Sequence, residues 1–317
     1  MDCVREWQER MDSFVKVFDY EYWGKQCLEK TPLDLKQGRV ILGGDNFYNE
    51  GIKPLLKWIH HQSEWSHSDF VVLRGSLSKM MRTPYEEKEP WMFTVTKYEG
   101  TIYIKAEQTE YERIQSDTID TQKQHIFKWG YKFEDYLTQK STSNLNDIVN
   151  TNQQNHVVYQ REIDGYNILY GAEVDAVMHD RATPLRLKDC VEFKVNLEIT
   201  SNQHYKIFAK RKFLHWWTQS YLVGIPTIIC GFRNHNGIVR KIEKFSVQEL
   251  SEGMEWRQDV CKAFLANLLK SLRNEMIVKS NLVYNISWKP IGAVIQVYET
   301  KLPLSHILPS WYTKKIF

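Results

Sequence analysis

A chain of 317 residues with 42 % hydrophobic and 26 % charged side chains can bury a large core, and its composition excludes a disordered or fibrous protein. The net charge of +3 creates no strong overall field, so any nucleic-acid contact has to come from a local basic patch. The N-terminus MDCVREWQERMDSF is charged from its second residue, unlike a signal peptide, and no apolar run is long enough to span a bilayer. These features lead us to expect an intracellular protein with no membrane partner. No composition break separates two apolar parts, so residues 1–317 read as a single domain. The five cysteines, Cys3, Cys27, Cys190, Cys230 and Cys261, include no closely spaced pair and read as reduced thiols, mostly in the core.

In chain order, RVILGG and DFVVLRG read as short buried strands with a helix between them over KPLLKWIHHQ. WMFTVTKYEGTIYIKAE reads as a hairpin turning at Glu99-Gly100. Asp117 or Thr118 is expected to cap a helix running to about Thr138, on which Ile126, Gly130, Phe133 and Leu137 share a face and Glu134 rides. Residues 138–155, rich in Ser, Thr, Asn and Gln, predict a mobile surface loop. HVVYQREIDGYNILYGAEVDAV predicts two strands about the turn dipeptide Asp164-Gly165.

Residues 191–199, VEFKVNLEI, alternate without a fault and form the clearest strand. A basic, aromatic helix follows over about 205–223, stopped by Gly224 and Pro226. Then come strands TIICGF and IVRKIEKF, joined through Asn236-Gly237. A helix with Trp256, Val260, Phe264, Leu268, Leu272 and Met276 at four-residue intervals precedes the last two strands, NLVYNISW and GAVIQVYET.

The chemistry concentrates in GAEVDAV, which puts Glu173 and Asp175 inside what reads as a buried strand. Alternation sends both acids to one face, and it does the same for Glu192 and Lys194 on the next strand. If the two strands are neighbours, carboxylates converge beside an ammonium. Such a cluster shares protons or binds divalent cations, and an all-oxygen donor set selects magnesium or manganese rather than zinc. An acid followed by Glu-x-Lys on the next strand is the pattern of PD-(D/E)XK-type nucleases. On an exposed strand face, Glu-x-Lys alone is a common charge pair.

With LRGSLSKMMRTPYE (73–86), GYKFE (130–134), EVD (173–175), EFK (192–194), WWTQSYLVGIPTIICGFR (216–233) and LPSWY (308–312) in order, the chain resembles the DXO family of decapping and 5′-end-processing exoribonucleases. The resemblance implies a mixed α/β (α+β) single domain whose sheets, flanked by helices, open a cleft around a PD-(D/E)XK-like core. It further implies that Glu134, Glu173, Asp175 and Glu192 ligate one or two divalent cations, Mg2+ or Mn2+, with the backbone carbonyl of Phe193 adding a ligand. Asp175, Glu192, Lys194 and Gln219 would be the catalytic set. Arg74, Glu134, Lys194 and Gln219 would contact the substrate, an RNA bearing a 5′ phosphate, a triphosphate, or an unmethylated or nicotinamide-type cap. Two departures from the family pattern, Val195 after Lys194 and Leu73 before Arg74, bear on substrate positioning rather than on the acids.

The resemblance also implies nuclear rather than cytoplasmic work in RNA quality control, with an Xrn-type exonuclease as a candidate partner. Two alternatives stand beside it: an inactive RNA-binding scaffold of the same fold, and a DNA nuclease with the same core.

Overall fold

The structure is a computed structural model that describes residues 17–19, 23, 32–41, 47–62, 67–118, 121–138, 148–150, 156–178, 187–277 and 279–314. Strands β1 (Val17–Phe18), β2 (Leu33–Asp34) and β3 (Arg39–Ile41) precede helix α1 (Lys53–His61). Then come β4 (Phe70–Leu73), α2 (Arg74–Arg82), β5 (Trp91–Tyr98), β6 (Thr101–Glu107), α3 (Glu110–Asp117) and α4 (Thr121–Thr138). β7 (Ile148–Asn150), β8 (His156–Ile163), β9 (Tyr166–Glu173), β10 (Ala176–Met178) and β11 (Cys190–Leu197) lead to the long helix α5 (Asn202–Val223). The chain closes through β12 (Thr227–Arg233), β13 (Ile238–Ser246), α6 (Gln258–Ser271), β14 (Val283–Trp288) and β15 (Ile295–Glu299).

Two mixed sheets carry the architecture: six strands in the order β1-β10-β11-β12-β13-β2, and seven in the order β15-β14-β5-β6-β4-β9-β8. The inner faces of both sheets share one core with α2, α5 and α6, in which Phe70, Val72, Ile228, Cys230, Trp217 and Leu269 are buried. Alternation along β11 and β12 turns Val191, Phe193 and Ile229 the other way, onto α4. The second face of the seven-stranded sheet is covered by α1 and by Ile307 and Leu308 near the C-terminus. No described helix is long and apolar enough to cross a membrane.

Turn chemistry places the hairpins where the sequence predicts them. Glu99 and Gly100 both have positive φ, as do Asp164 and Gly165, which matches the twist of the strands they join. Gly224, with φ of 84°, closes α5 in the left-handed conformation expected of a helix-ending glycine. Cys190, Cys230 and Cys261 are buried in the core, while Cys3 and Cys27 lie outside the described residues.

Several expectations are corrected. The long helix begins at Thr121, and Asp117 instead ends a separate helix, α3, with Thr118 as its C-cap. That helix opens on a capping box in which Thr109 and Glu112 satisfy each other's backbone N–H. The polar stretch 138–155 contains strand β7, which runs parallel to β3 by pairing Ile148, Val149 and Asn150 with Arg39, Val40 and Ile41. Its residues 139–147 and 151–155 lie outside the described residues. Of the four-residue stripe, Trp256, Leu268 and Leu272 are buried, whereas Val260 and Phe264 are half-buried and Cys261, Leu265 and Leu269 join the buried face, because four-residue steps drift by about 40° each on a helix of 3.6 residues per turn.

Helix α4 is seated by two glycines of the six-stranded sheet. A Cβ at Gly231 would stand 2.5 Å from Cε2 of Phe133, and one at Gly237 would stand 3.0 Å from the Trp129 ring. Phe133 and Trp129 therefore pack against bare backbone, and the Arg233 guanidinium covers the Trp129 ring at 4.5 Å. Gly231→Ala should push Phe133 outward and cost about 1–3 kcal/mol of stability. Denaturant melts of the two proteins measure the loss.

Candidate active site

The stretch that reads as one strand is in fact divided between the two sheets. β9 ends at Glu173 in the seven-stranded sheet, and β10 begins at Ala176 in the six-stranded sheet. Glu173 is thus the last residue of one strand, whereas Asp175 lies in the crossing, outside either strand. Next to β9, the parallel β4 pairs Leu73 with Gly171 and passes directly into α2, so Arg74 emerges at the same sheet end as Glu173. On the other side, β10 pairs with β11 at Ala176–Val191, which brings Asp175 level with Glu192.

Because the chain leaves the six-stranded sheet at this point, β11 has no strand partner on that edge beyond Val191. Asp175 takes the place of one: its Oδ2 accepts the backbone N–H of Phe193 at 2.7 Å. A carboxylate oxygen of each of Glu134, Glu173 and Asp175 comes within 4.8 Å of the other two. Glu134 arrives from α4, where its carbonyl accepts the Thr138 hydroxyl. Tyr131, one turn earlier, was not singled out from sequence. Its hydroxyl is held above its ordinary pKa first by burial and then by the charges of Glu173, Glu134 and Asp175.

Glu192 stands outside that trio. It is 3 % exposed, with one oxygen 2.6 Å from the Lys194 Nζ and the other 3.4 Å from Arg74 Nη1. Burial alone would raise its pKa, yet the two cations override this and hold Glu192 below the usual carboxylate range. For Asp175 the outcome is opposite. Burial, then the charges of Glu192 and Glu134, push it well above its ordinary value against the pull of Lys194 and the Phe193 N–H. The crowded acids thus include one clamped anion and one carboxyl that resists ionisation. A doubly charged cation relieves that repulsion, and the all-oxygen donor set fits a hard ion.

Gln219 lies half-buried on α5, beside Thr218, whose hydroxyl meets Ser78 of α2 at 2.7 Å. That bond fixes α5 against the helix that bears Arg74. A second cluster, Glu86, Glu89 and His215, also brings three potential ligands within 4.8 Å and was not read from sequence. Here a guanidinium already stands between the acids, because Arg82 donates to Glu86 at 3.1 Å and to Glu89 at 2.8 Å. The cluster serves as a strut, with His215 Nε2 3.5 Å from Glu86 tying α5 to the turn after α2.

An acid at a strand break, followed on the neighbouring strand by Glu192-Phe193-Lys194 inside a mixed sheet, places the fold among nucleases of the PD-(D/E)XK kind. Within that class the chain belongs to the RAI1-like PD-(D/E)XK nuclease family, whose model matches residues 9–313. The decapping and exoribonuclease protein of Bos taurus is 30 % identical over 289 residues, covering 86 % of this chain and 72 % of the relative. Among solved structures, Scheffersomyces stipitis Rai1 superposes with a TM-score of 0.80 at 19 % identity, covering 94 % of this chain and 89 % of that one. Candida albicans Rai1 in complex with pU5 and Mn2+ gives a TM-score of 0.76 at 20 % identity, covering 90 % and 84 %.

Two predictions follow from the charge balance. Removing Lys194 as methionine should destabilise the fold by about 2 kcal/mol, below the roughly 3–5 kcal/mol of a fully buried pair because the ammonium is partly exposed. Adding Glu192→Gln should restore part of that loss, and a double-mutant cycle in urea measures the coupling. For Glu86, burial works against ionisation, but hydrogen bonds from His215, from the Glu89 and Lys88 backbone and from Arg82 hold its pKa far below the usual carboxylate range. Its stabilising contribution is therefore complete above the unfolded value and is lost as pH falls through the folded one. The gap in melting temperature between wild type and Glu86→Gln should narrow steadily from about pH 6 to about pH 3.

Proposed function

We propose that the protein is a divalent-cation-dependent hydrolase of RNA 5′ ends, acting as a decapping nuclease, a 5′-triphosphate pyrophosphohydrolase or a 5′-to-3′ exoribonuclease. The observation that carries this reading is the meeting of Glu134, Glu173 and Asp175 beside the Lys194–Glu192–Arg74 ion network. It is supported by family membership, by the decapping and exoribonuclease names of relatives, and by the Mn2+ and pU5 bound to the Candida albicans protein.

In this reading Glu134, Glu173 and Asp175 hold Mg2+ or Mn2+, and Glu192 borders the same site through its coupling to Asp175. The cation supplies positive charge to a phosphoryl oxygen and acidity to a water. A strand residue directs its N–H and C=O to the same edge, so the Phe193 carbonyl leaves β11 on the side where its N–H meets Asp175, which supports its place among the ligands. Glu192, itself buried, orients the Lys194 ammonium toward the attacked phosphate. Arg74, at the start of α2 and 15 % exposed, presents its guanidinium to an RNA phosphate. Gln219 offers a neutral amide to the scissile phosphate or to the water that attacks it.

What the site engages is a phosphodiester rather than a base, so substrates differ by the 5′ group that fits beyond the cleaved bond. A monophosphate permits stepwise trimming, a triphosphate loses pyrophosphate, and an unmethylated or nicotinamide-type cap leaves whole. With this reading go the nuclear placement and the Xrn-type exonuclease partner that the family resemblance implies.

The test is incubation with Mg2+ or Mn2+ and RNAs bearing each of these 5′ ends, with product analysis, beside Asp175→Asn. Wild type should release nucleotides or whole caps, and the variant should fall by about 10²-fold or more. Wild-type rates in the variant would refute the ligand assignment. In parallel, Mn2+ at about 100 times its Kd should stabilise the wild-type fold by about 2.7 kcal/mol and leave Asp175→Asn nearly unmoved, as read by thermal melts.

A further inference from the structure

Away from the acids, a cavity of about 450 Å³ opens where the C-terminal end of α5 meets β8, β9 and α6. The volume lies within the roughly 300–1,000 Å³ range of small-ligand sites. Two stacked aromatic pairs contribute to its walls: Trp217 on Tyr221, with centroids 5.1 Å apart, and Tyr159 on Tyr170, 5.6 Å apart. Two cations line it and no carboxylate does.

The two cations have different duties. Arg161 lies 4.7 Å over the Tyr221 ring and donates to the Tyr221 carbonyl at 3.0 Å, so it caps the end of α5. Lys262 reaches across from α6, its Nζ 4.5 Å from the Tyr221 centroid and 5.8 Å from that of Trp217. No described carboxylate lies within ion-pair distance of Lys262, whereas Lys79, Lys105, Lys132 and Lys194 each have an acid at 3.1 Å or less. A partly buried ammonium poised over two rings and lacking a counter-charge favours an anion carried on a flat apolar body. At the rim, the exposed Gln248 adds an amide that both donates and accepts.

We propose that this cavity is a second nucleotide site, one that takes a nucleoside 5′-monophosphate with its base beside the half-buried Tyr221 ring and its phosphate at Lys262. The site is separate from the acids. Gln219 falls between Trp217 and Tyr221 in sequence, about 200° from each around α5, so the cavity and the Gln219 amide occupy different faces of one helix.

Calorimetric titration of AMP in EDTA, with no divalent cation present, tests this. Wild type should bind saturably. Asp175→Asn should bind equally well. Lys262→Gln should weaken binding several-fold and Lys262→Glu by about tenfold or more, with circular dichroism confirming that both variants fold. Adenosine, lacking the phosphate, should bind at least about tenfold more weakly than AMP. Three results would overturn the proposal: no saturation by about 10 mM AMP, a range that covers even millimolar affinity; loss of binding in Asp175→Asn with none in the Lys262 variants, which would put the nucleotide at the acids; or inorganic phosphate competing as strongly as AMP, which would mark a simple anion site.

Discussion

Asp175, half-buried, and Glu192, buried, stand side by side on adjoining stretches of backbone, and their mutual repulsion is the constraint around which the site is arranged. The protein resolves it unequally. Glu192 receives two cations, one from its own strand and one from the start of α2, and stays charged. Asp175 receives a single backbone N–H and the pressure of its neighbours, and so resists ionisation. Two acids of similar chemistry thereby acquire different places: one fixes the lysine, and the other joins Glu134 and Glu173 in an all-oxygen cluster.

This inequality depends on the crossing between the sheets. Had β10 extended back through Asp175 and Val174, backbone hydrogen bonding would have occupied the edge of β11, and the Phe193 N–H would have met a carbonyl instead of a carboxylate. By leaving one sheet at Glu173 and joining the other at Ala176, the chain frees two residues at the junction. Their neighbours come from distant sequence: Arg74 from the end of β4, Glu134 from α4 and Lys194 from β11. The junction is therefore a property of the whole fold, in which α5 is bonded through Thr218 to Ser78 of α2, the helix that begins at Arg74.

Local chemistry made much of this readable. Glu99-Gly100, Asp164-Gly165 and Gly224 announce their turns because few residues tolerate positive φ, and the Glu-x-Lys alternation identified β11 before any coordinates. The break at Val174–Asp175 was hidden for a physical reason. An apolar run that changes sheets keeps the same residue pattern as one that stays, since both ends remain buried. The Glu86 strut was equally silent, because its partners Arg82, Glu89 and His215 are ordinary surface residue types until the turn after α2 folds against α5. On α6 and its flanks, the four-residue spacing marks Trp256, Leu268 and Leu272 as buried, while helical pitch turns Val260 and Phe264 partly outward and brings in Cys261, Leu265 and Leu269. Tyr131 had no signal except its position one turn from Glu134.

The glycine seat beneath α4 has a consequence for ion choice. Glu134 reaches the cluster from a helix whose height above the sheet is set by the contact of Phe133 with the bare backbone of Gly231. That height governs how far apart the three carboxylate groups stand. Magnesium demands oxygen at about 2.0–2.1 Å, whereas calcium accepts about 2.3–2.6 Å with looser geometry. Packing depth at Gly231 thus bears on the spacing of Glu134 from Glu173 and Asp175, and with it on the radius of any cation those oxygens would accept.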